Sequence, residues 1–284
     1  MSVIQVALID TTQKLDAQLV QATAAALNTQ VVRDLPQYWN VQATVRWIQD
    51  PSRLPTGVWP VLLVAKLPPG EGGVHLDKNN QPYSLVIGTP DSEDWTIDAS
   101  HETLEMLVDP AGNRMQVSEA IKIEGNGVAD SCGQFSYLVE ACDPCEGNQY
   151  AYGINGIAVS DFITPHFYDP VAARGTRYSF GGNIERPRQL LPGGYISFLN
   201  PVHDHMEQIL FLGPKPELRD LGPADGTVRS LRAFVDGKTY ADVRKSRKQN
   251  QALASAMKTH RGAIEDASER RGRRYREVYL RDTF

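Results

Sequence analysis

Cysteine is scarce in this sequence: Cys132, Cys142 and Cys145 are the only three in 284 residues. Three clustered thiols cannot all pair within one chain, which excludes a disulfide framework as the main source of stability. Cys142 and Cys145 form C-D-P-C, a redox-motif spacing, but without the strand-and-helix setting that a dithiol of that kind uses. Reduced structural thiols are the expectation. A zinc site built from the three cysteines, or from two and a histidine, is the alternative, though no fourth ligand stands at a matching spacing.

Long apolar runs are missing too. None reaches the roughly 18 residues of a membrane helix, so no membrane partner is expected. Residues 2–9, SVIQVALI, lack a basic flank and a long apolar stretch, so no secretory signal is read and a cytoplasmic location is expected. What is present is ordinary for a globular chain: 41% hydrophobic and 22% charged residues, with 23 Gly and 18 Pro marking many turns. The length is enough to bury a sizeable core.

Charge is divided unevenly along the chain. The overall −5 conceals a segment from Lys238 to Phe284 with 13 Lys/Arg against 6 Asp/Glu, following a body of net −12. RKSRK at 244–248 and RRGRRYR at 270–276 are the basic clusters, with Tyr275, Tyr279 and Phe284 as aromatic anchors. Phosphate contact is physically open to such a segment. No zinc-finger, helix-turn-helix or base-stacking pattern accompanies it, so nucleic acid is not the expected partner. The segment suits an acidic surface of another copy better, which makes self-association through a C-terminal arm the expectation.

Residues 3–9, 41–48, 59–66 and 83–89 read as strands from their β-branched and aromatic content. A helix is expected over about 12–34, capped by Thr11 or Thr12, with Leu15, Leu19, Ala22 and Ala26 as its apolar stripe. A second helix is expected over 97–108, stopped by Asp109-Pro110. Asn155-Gly156 marks a hairpin, YISFLN at 195–200 a short apolar run, and 213–226 a linker. The fold class is therefore α/β (α+β). A zincin-like sheet with its site helix would occupy 1–110, an irregular β-rich completion 111–215, and a linker with a basic helical arm 216–284.

The chemistry is concentrated at 100–110, SHETLEMLVDP. This is the zinc-peptidase signature H-E-x-x-H with glutamate in place of the second histidine. On a helix His101 and Glu105 project side by side, and an imidazole nitrogen with a carboxylate oxygen suits Zn²⁺. The extra carboxylate lowers the charge of the site and makes Mn²⁺ or Ca²⁺ more acceptable. Glu102, about 100° round the helix, stands where the general base of such a site belongs. A helix with a coincidental spelling is the plain alternative, since Glu is common on surface helices. His203-Asp204-His205 is a possible second H-x-H metal site, or a solvated polar turn. His166 and Tyr137, Tyr150 and Tyr152 read as packing or local hydrogen bonding, and His75 as a loop residue.

Strand, long helix, three strands and a His-Glu helix is also the element order of the upper subdomain of zincin metallopeptidases. HETLEMLVDP followed by VEACDPCEG resembles a group of bacterial zincin-like proteins with H-E-x-x-E, a following Asp-Pro, and an E-x-x-D segment beside a cysteine. The resemblance implies His101 and Glu105 as metal ligands, Glu140 as the third, and Glu102 as the base. It implies Asp143 as an orienting or alternative ligand and Asp109 as a brace for the helix end. Two functions follow: a metal-dependent peptidase or amide hydrolase acting on a peptide or protein, or a non-catalytic assembly protein using its basic arm.

Overall fold

The computed structural model describes residues 3–67, 74–78, 81–224, 230–239 and 243, with 74–78 described in its backbone. The protein is a mixed α/β fold with several sheets, an N-terminal helix and a C-terminal helix. The first sheet contains β1 (Ile4–Asp10), β2 (Ala43–Trp47), β3 (Trp59–Val64), β4 (Val74–Lys78) and β5 (Gln81–Ile87). Their order is β2-β1-β3-β5-β4; β4 runs antiparallel to β5 and the other pairs are parallel. α1 (Ala17–Thr29) and α2 (Trp95–Val108) share one face of this sheet.

Alternation along β1 explains the layering. Val6 and Leu8 enter the main core with α1 and α2, whereas Ala7 and Ile9 join Val58 in a smaller cluster on the opposite side. α1 is continued by a π turn at Gln30–Asp34 and a 3₁₀ turn at Leu35–Gln37, so the expected helical span is accounted for in three pieces. Its cap differs from expectation. Asp16 accepts from the amides of Gln18 and Leu19, while the Thr12 hydroxyl donates to Asp10 at 2.7 Å.

The second sheet, order β12-β11-β10-β7-β6, is antiparallel. It is built from β6 (Met115–Glu124), β7 (Gly127–Leu138), β10 (Tyr195–Asn200), β11 (His205–Leu210) and β12 (Glu217–Gly222). The region after α2, read above as irregular, thus begins with a long hairpin. The linker candidate at 213–226 contains an edge strand. β8 (Tyr152–Ile154) and β9 (Ile157–Val159) form the expected hairpin, with Asn155 and Gly156 both at positive φ, as a tight primed turn requires.

A last helix, α3 (residues 231–239), closes the described chain. Arg232, Val235, Asp236 and Thr239 are its buried positions, the spacing of one helical face. Val235 packs with Leu138, Met206 and Leu221, while the Arg232 amide donates to the Gly112 carbonyl at 3.0 Å. Residues 240–242 and 244–284, which carry both basic clusters and Tyr275, Tyr279 and Phe284, lie outside the described residues.

Candidate metal centre

α2 has no solvent face of the usual kind; every residue from Ala99 to Val108 is buried. A helix enclosed on all sides is a fixed platform, and polar bonds hold it in place. The Ser100 hydroxyl donates to Gln30 Oε1 at 2.8 Å and accepts from the Ser160 amide at 2.9 Å. Gln30 Nε2 reaches the Ser160 carbonyl at 3.0 Å, so α1, α2 and the segment after β9 are tied together. At the other end, Asp109 accepts from the Arg114 amide at 2.8 Å and the Asn113 amide at 3.2 Å, fastening the helix to the turn before β6.

Two ligand candidates come from α2 and a third from the 3₁₀ turn Asp143–Cys145. His101 Nε2 lies 3.1 Å from Glu105 Oε2 and 3.0 Å from Asp143 Oδ1. Glu105 Oε1 accepts from the Cys142 amide at 3.0 Å, which fixes its carboxylate and leaves Oε2 toward the cluster. Asp143 is seated by close backbone packing. A Cβ on Gly194 would stand 2.5 Å from the Asp143 carbonyl oxygen, and the Leu191 amide donates to the Pro144 carbonyl at 3.1 Å. Glycine is needed there for that approach.

His101, Glu105 and Asp143 are each at most 2% exposed, and one donor atom from each lies within 4.8 Å of the others. Among the described residues both oxygens of Glu140 are buried without a hydrogen-bond partner, as is Oδ2 of Asp143, whose Oδ1 faces His101. Glu102 is buried beside them and its charge acts on Arg232 and Asp236. Glu105 Oε2 also pairs with Arg232 Nη1 from α3, and Arg232 Nε stands 3.6 Å from Asp236 Oδ2.

The electrostatics follow from crowding acids into a closed space. Burial opposes the charged form of His101, but Glu105 and Asp143 outweigh it and push the imidazole up to about 10. Burial would raise Glu105 as well, yet Arg232 and His101 hold it well below the carboxylate range. Glu140 and Asp143 go the other way: burial, then the neighbouring carboxylates, raise both. Burial raises Asp236 to about 7. Two cationic side chains do not neutralise this set. A buried excess of carboxylate beside an imidazole is chemistry that a divalent ion satisfies, and Asp143 Oδ2 and both oxygens of Glu140, which have no hydrogen-bond partner among the described residues, fit that role.

No protein-family model, curated protein or solved structure matches this chain. The resemblance drawn from HETLEMLVDP and VEACDPCEG therefore rests on those residues. The structure contains a buried His/Glu/Asp cluster that could hold a metal ion.

The other sequence candidates are distributed as follows. His203, His205 and Asp220 form a second group of three donors, exposed or half-buried, where the turn before β11 faces β12. His166 is exposed and bonds Asp169 at 2.8 Å. Tyr137 donates to the Glu119 carbonyl and Tyr152 to Asp34, both away from the cluster. The phenols that feel Asp143 and Glu140 are Tyr168 and Tyr195, raised first by burial and then by those carboxylates. Cys142 and Cys145 are buried and Cys132 exposed; burial pushes both buried thiols up, and no cysteine joins a three-donor group among the described residues. Arg232 and Asp236 are not legible as site residues in the sequence because they fall in 216–284, read as a linker with a basic arm. Their signal was an opposite-charge pair four apart in SLRAFVDG, with apolar neighbours.

Proposed function

We propose that His101, Glu105 and Asp143 bind one divalent metal ion and that the centre supports hydrolysis of a peptide or amide bond. The observation that carries this is His101 Nε2 lying 3.0–3.1 Å from two carboxylates delivered by separate elements, inside the core. Asp143 is a better third ligand than Glu140 on this geometry. Glu140, whose oxygens have no hydrogen-bond partner among the described residues, is held toward its neutral form in the metal-free fold and becomes negative charge beside the ion once a cation is bound. One imidazole and two carboxylates form a harder, less positive set than three imidazoles, so Zn²⁺, Mn²⁺ and Ca²⁺ are all chemically acceptable.

When bound, such an ion acidifies a coordinated water and polarises a carbonyl. The chain's own residues do the rest. Glu102 takes the proton from the attacking water and delivers it to the leaving amine. The Cys142 amide holds the Glu105 carboxylate in one orientation, which fixes where Oε2 points. The enclosing core excludes bulk water from the reacting groups. The edge position of β4, whose backbone pairs with β5 alone among the described residues, offers hydrogen bonds to an extended peptide.

A second reading is supported by the Arg232–Glu105 ion pair: the acids and cations are a buried structural network in an assembly protein, with copies joined through the basic arm. Metal content separates the two. Desalted protein purified without chelator is expected to carry about one equivalent of divalent metal that His101→Ala loses. Glu102→Gln should keep the metal and lose about 10²–10⁴-fold in hydrolysis of a peptide library. Full metal content in a folded His101→Ala/Glu105→Ala variant would overturn the assignment.

A further inference from the structure

Every group in this centre is covered. His101, Glu102, Glu105, Glu140 and Asp143 are all at most 4% exposed, so a substrate reaches none of them unless some element moves. α3 is the element that reaches furthest in. Its Arg232 sits on Glu105 Oε2, the same oxygen that faces His101, while Glu105 Oε1 is already taken by the Cys142 amide. The oxygen carries two lone pairs, but a dication and a guanidinium held on the same buried oxygen repel each other.

We infer that α3 is a displaceable latch: Arg232 occupies the Glu105 oxygen that the ion requires, so ion binding and latch docking oppose each other. This rests on the metal-centre reading above. Among the described residues the docking contacts are local. The Arg232 amide donates to the Gly112 carbonyl at 3.0 Å, and the Leu231 amide to Asn113 Oδ1 at 2.9 Å. Val235 and the partly buried Leu231 and Phe234 supply the apolar contact. Arg232 Nε has no hydrogen-bond partner among the described residues, and Asp236 stands 3.6 Å away. The latch therefore ends in an imperfectly satisfied cation, which a divalent ion can outcompete. A short amphipathic helix held this way belongs to the part of a fold that opens locally.

Hydrogen exchange on the full-length wild-type protein tests the idea without a substrate. Saturating Zn²⁺ is expected to speed exchange in peptides covering 231–239, whereas an ion that merely stabilises the fold slows it. Arg232→Met should bind Zn²⁺ about tenfold more tightly, within the usual range for coupled sites. Gly112→Ala acts in the same direction without touching the charges. Its Cβ would meet Ser230 Oγ at 3.0 Å and Arg232 Cβ at 3.1 Å. Slower exchange at 231–239 with Zn²⁺, or unchanged affinity in both variants, overturns the latch. If affinity is unchanged but still abolished by His101→Ala, the centre stands and the latch alone fails. If neither wild type nor variants bind Zn²⁺, the centre itself fails.

A separate observation points to a second ion at the β11–β12 edge. A left-handed Asp204 (φ 56°) folds His203 back against His205, bringing the ring centroids to 4.8 Å. The His203 ring is oriented by a carboxylate, its Nε2 lying 2.6 Å from Glu207 Oε1, while Asp220 Oδ1 stands 2.9 Å from His205 Nδ1 as a co-ligand would. Carboxylates that fix the tautomer of neighbouring imidazoles are the usual support of metal-binding histidines. The geometry points to His203, His205 and Asp220 as ligands for Zn²⁺ or Ni²⁺, with Glu207 holding His203. Equilibrium dialysis at about 10 μM Zn²⁺ should give one equivalent fewer in His203→Ala/His205→Ala than in wild type, with α2 unaffected by circular dichroism. Equal metal content in the two proteins overturns the site.

Discussion

Zinc affinity is expected to rise about tenfold for each pH unit between pH 7 and 9, a hundredfold in all, because binding must displace the proton on His101. In the metal-free fold the carboxylates of Glu105 and Asp143 overcome the effect of burial and hold that proton up to about pH 10. A metal needs the neutral imidazole, so below pH 10 every unit of acid costs one unit of apparent affinity. An unperturbed histidine, near 6.5, would give a curve that levels off above pH 7. Titration with a zinc-buffering chelator at pH 7, 8 and 9 measures the slope, and a flat profile would remove His101 from the ligand set.

The same proton sets the stability of the metal-free protein. A histidine whose folded value exceeds its unfolded one stabilises fully below about pH 6.5, and that contribution disappears as pH rises through about 10. Asp236 works in the same sense over a lower window: burial raises it from 3.8 to about 7, so its contribution is present below about pH 3.8 and is gone above about 7, leaving the pH 7–10 loss to His101. Chelator-treated protein should therefore lose thermal stability from pH 7 to 10. Zinc-loaded protein should lose less, since the ion takes over the charge balance.

The sequence exposes four of the five strands of the first sheet, missing the edge strand β4 at Val74–Lys78, which reads as loop around His75. It exposes the second sheet poorly, for a physical reason. β1, β3 and β5 pack on both faces or nearly so, and their β-branched runs announce them. β6 and β7 instead pair in a hairpin with much of one face exposed, so Glu119, Lys122, Asp130 and Gln134 interrupt the apolar signal. β12 is an edge strand spelled ELRDLG, polar as edges are, behind a proline-rich turn. The α1 cap is misread because two threonines and two aspartates lie within seven residues, and the Asp10 side chain draws Thr12 into a local turn.

The candidate centre divides in the same way. The pairing of His101 with Glu105 is legible because helix geometry puts residues four apart together. Asp143 rather than Glu140 stands 3.0 Å from His101 because of one 3₁₀ turn and the glycine packed on it, which spacing does not encode. Arg232 comes from the far end of the chain, and only the docking of α3 on Gly112 brings it in.

Arg188→Met should be among the most destabilising single changes in the protein, at about 3–5 kcal/mol by urea denaturation. The side chain is 0% exposed, and it donates through Nε and Nη2 to both oxygens of Asp130 at 3.1 Å. Nη1 donates to Ser118 Oγ at 2.7 Å and to the Asp169 carbonyl at 2.5 Å, and Nη2 to the Pro170 carbonyl at 3.3 Å. One guanidinium thus joins the β6–β7 hairpin to the loop that follows β9. Methionine fills similar volume, so the loss is of donors rather than of packing, and several acceptors are left unsatisfied. The asymmetry with its partner is the sharper test. Asp130 has a side chain 50% exposed, where solvent screens the pair, so Asp130→Asn should cost at most about 1 kcal/mol. The consequence reaches the candidate centre, because the same loop runs on to Leu191, whose amide holds the Pro144 carbonyl beside Asp143. Arg188→Met should accordingly weaken zinc binding while Asp130→Asn leaves it unchanged; equal effects of the two on stability would show that the guanidinium acts only through the exposed ion pair.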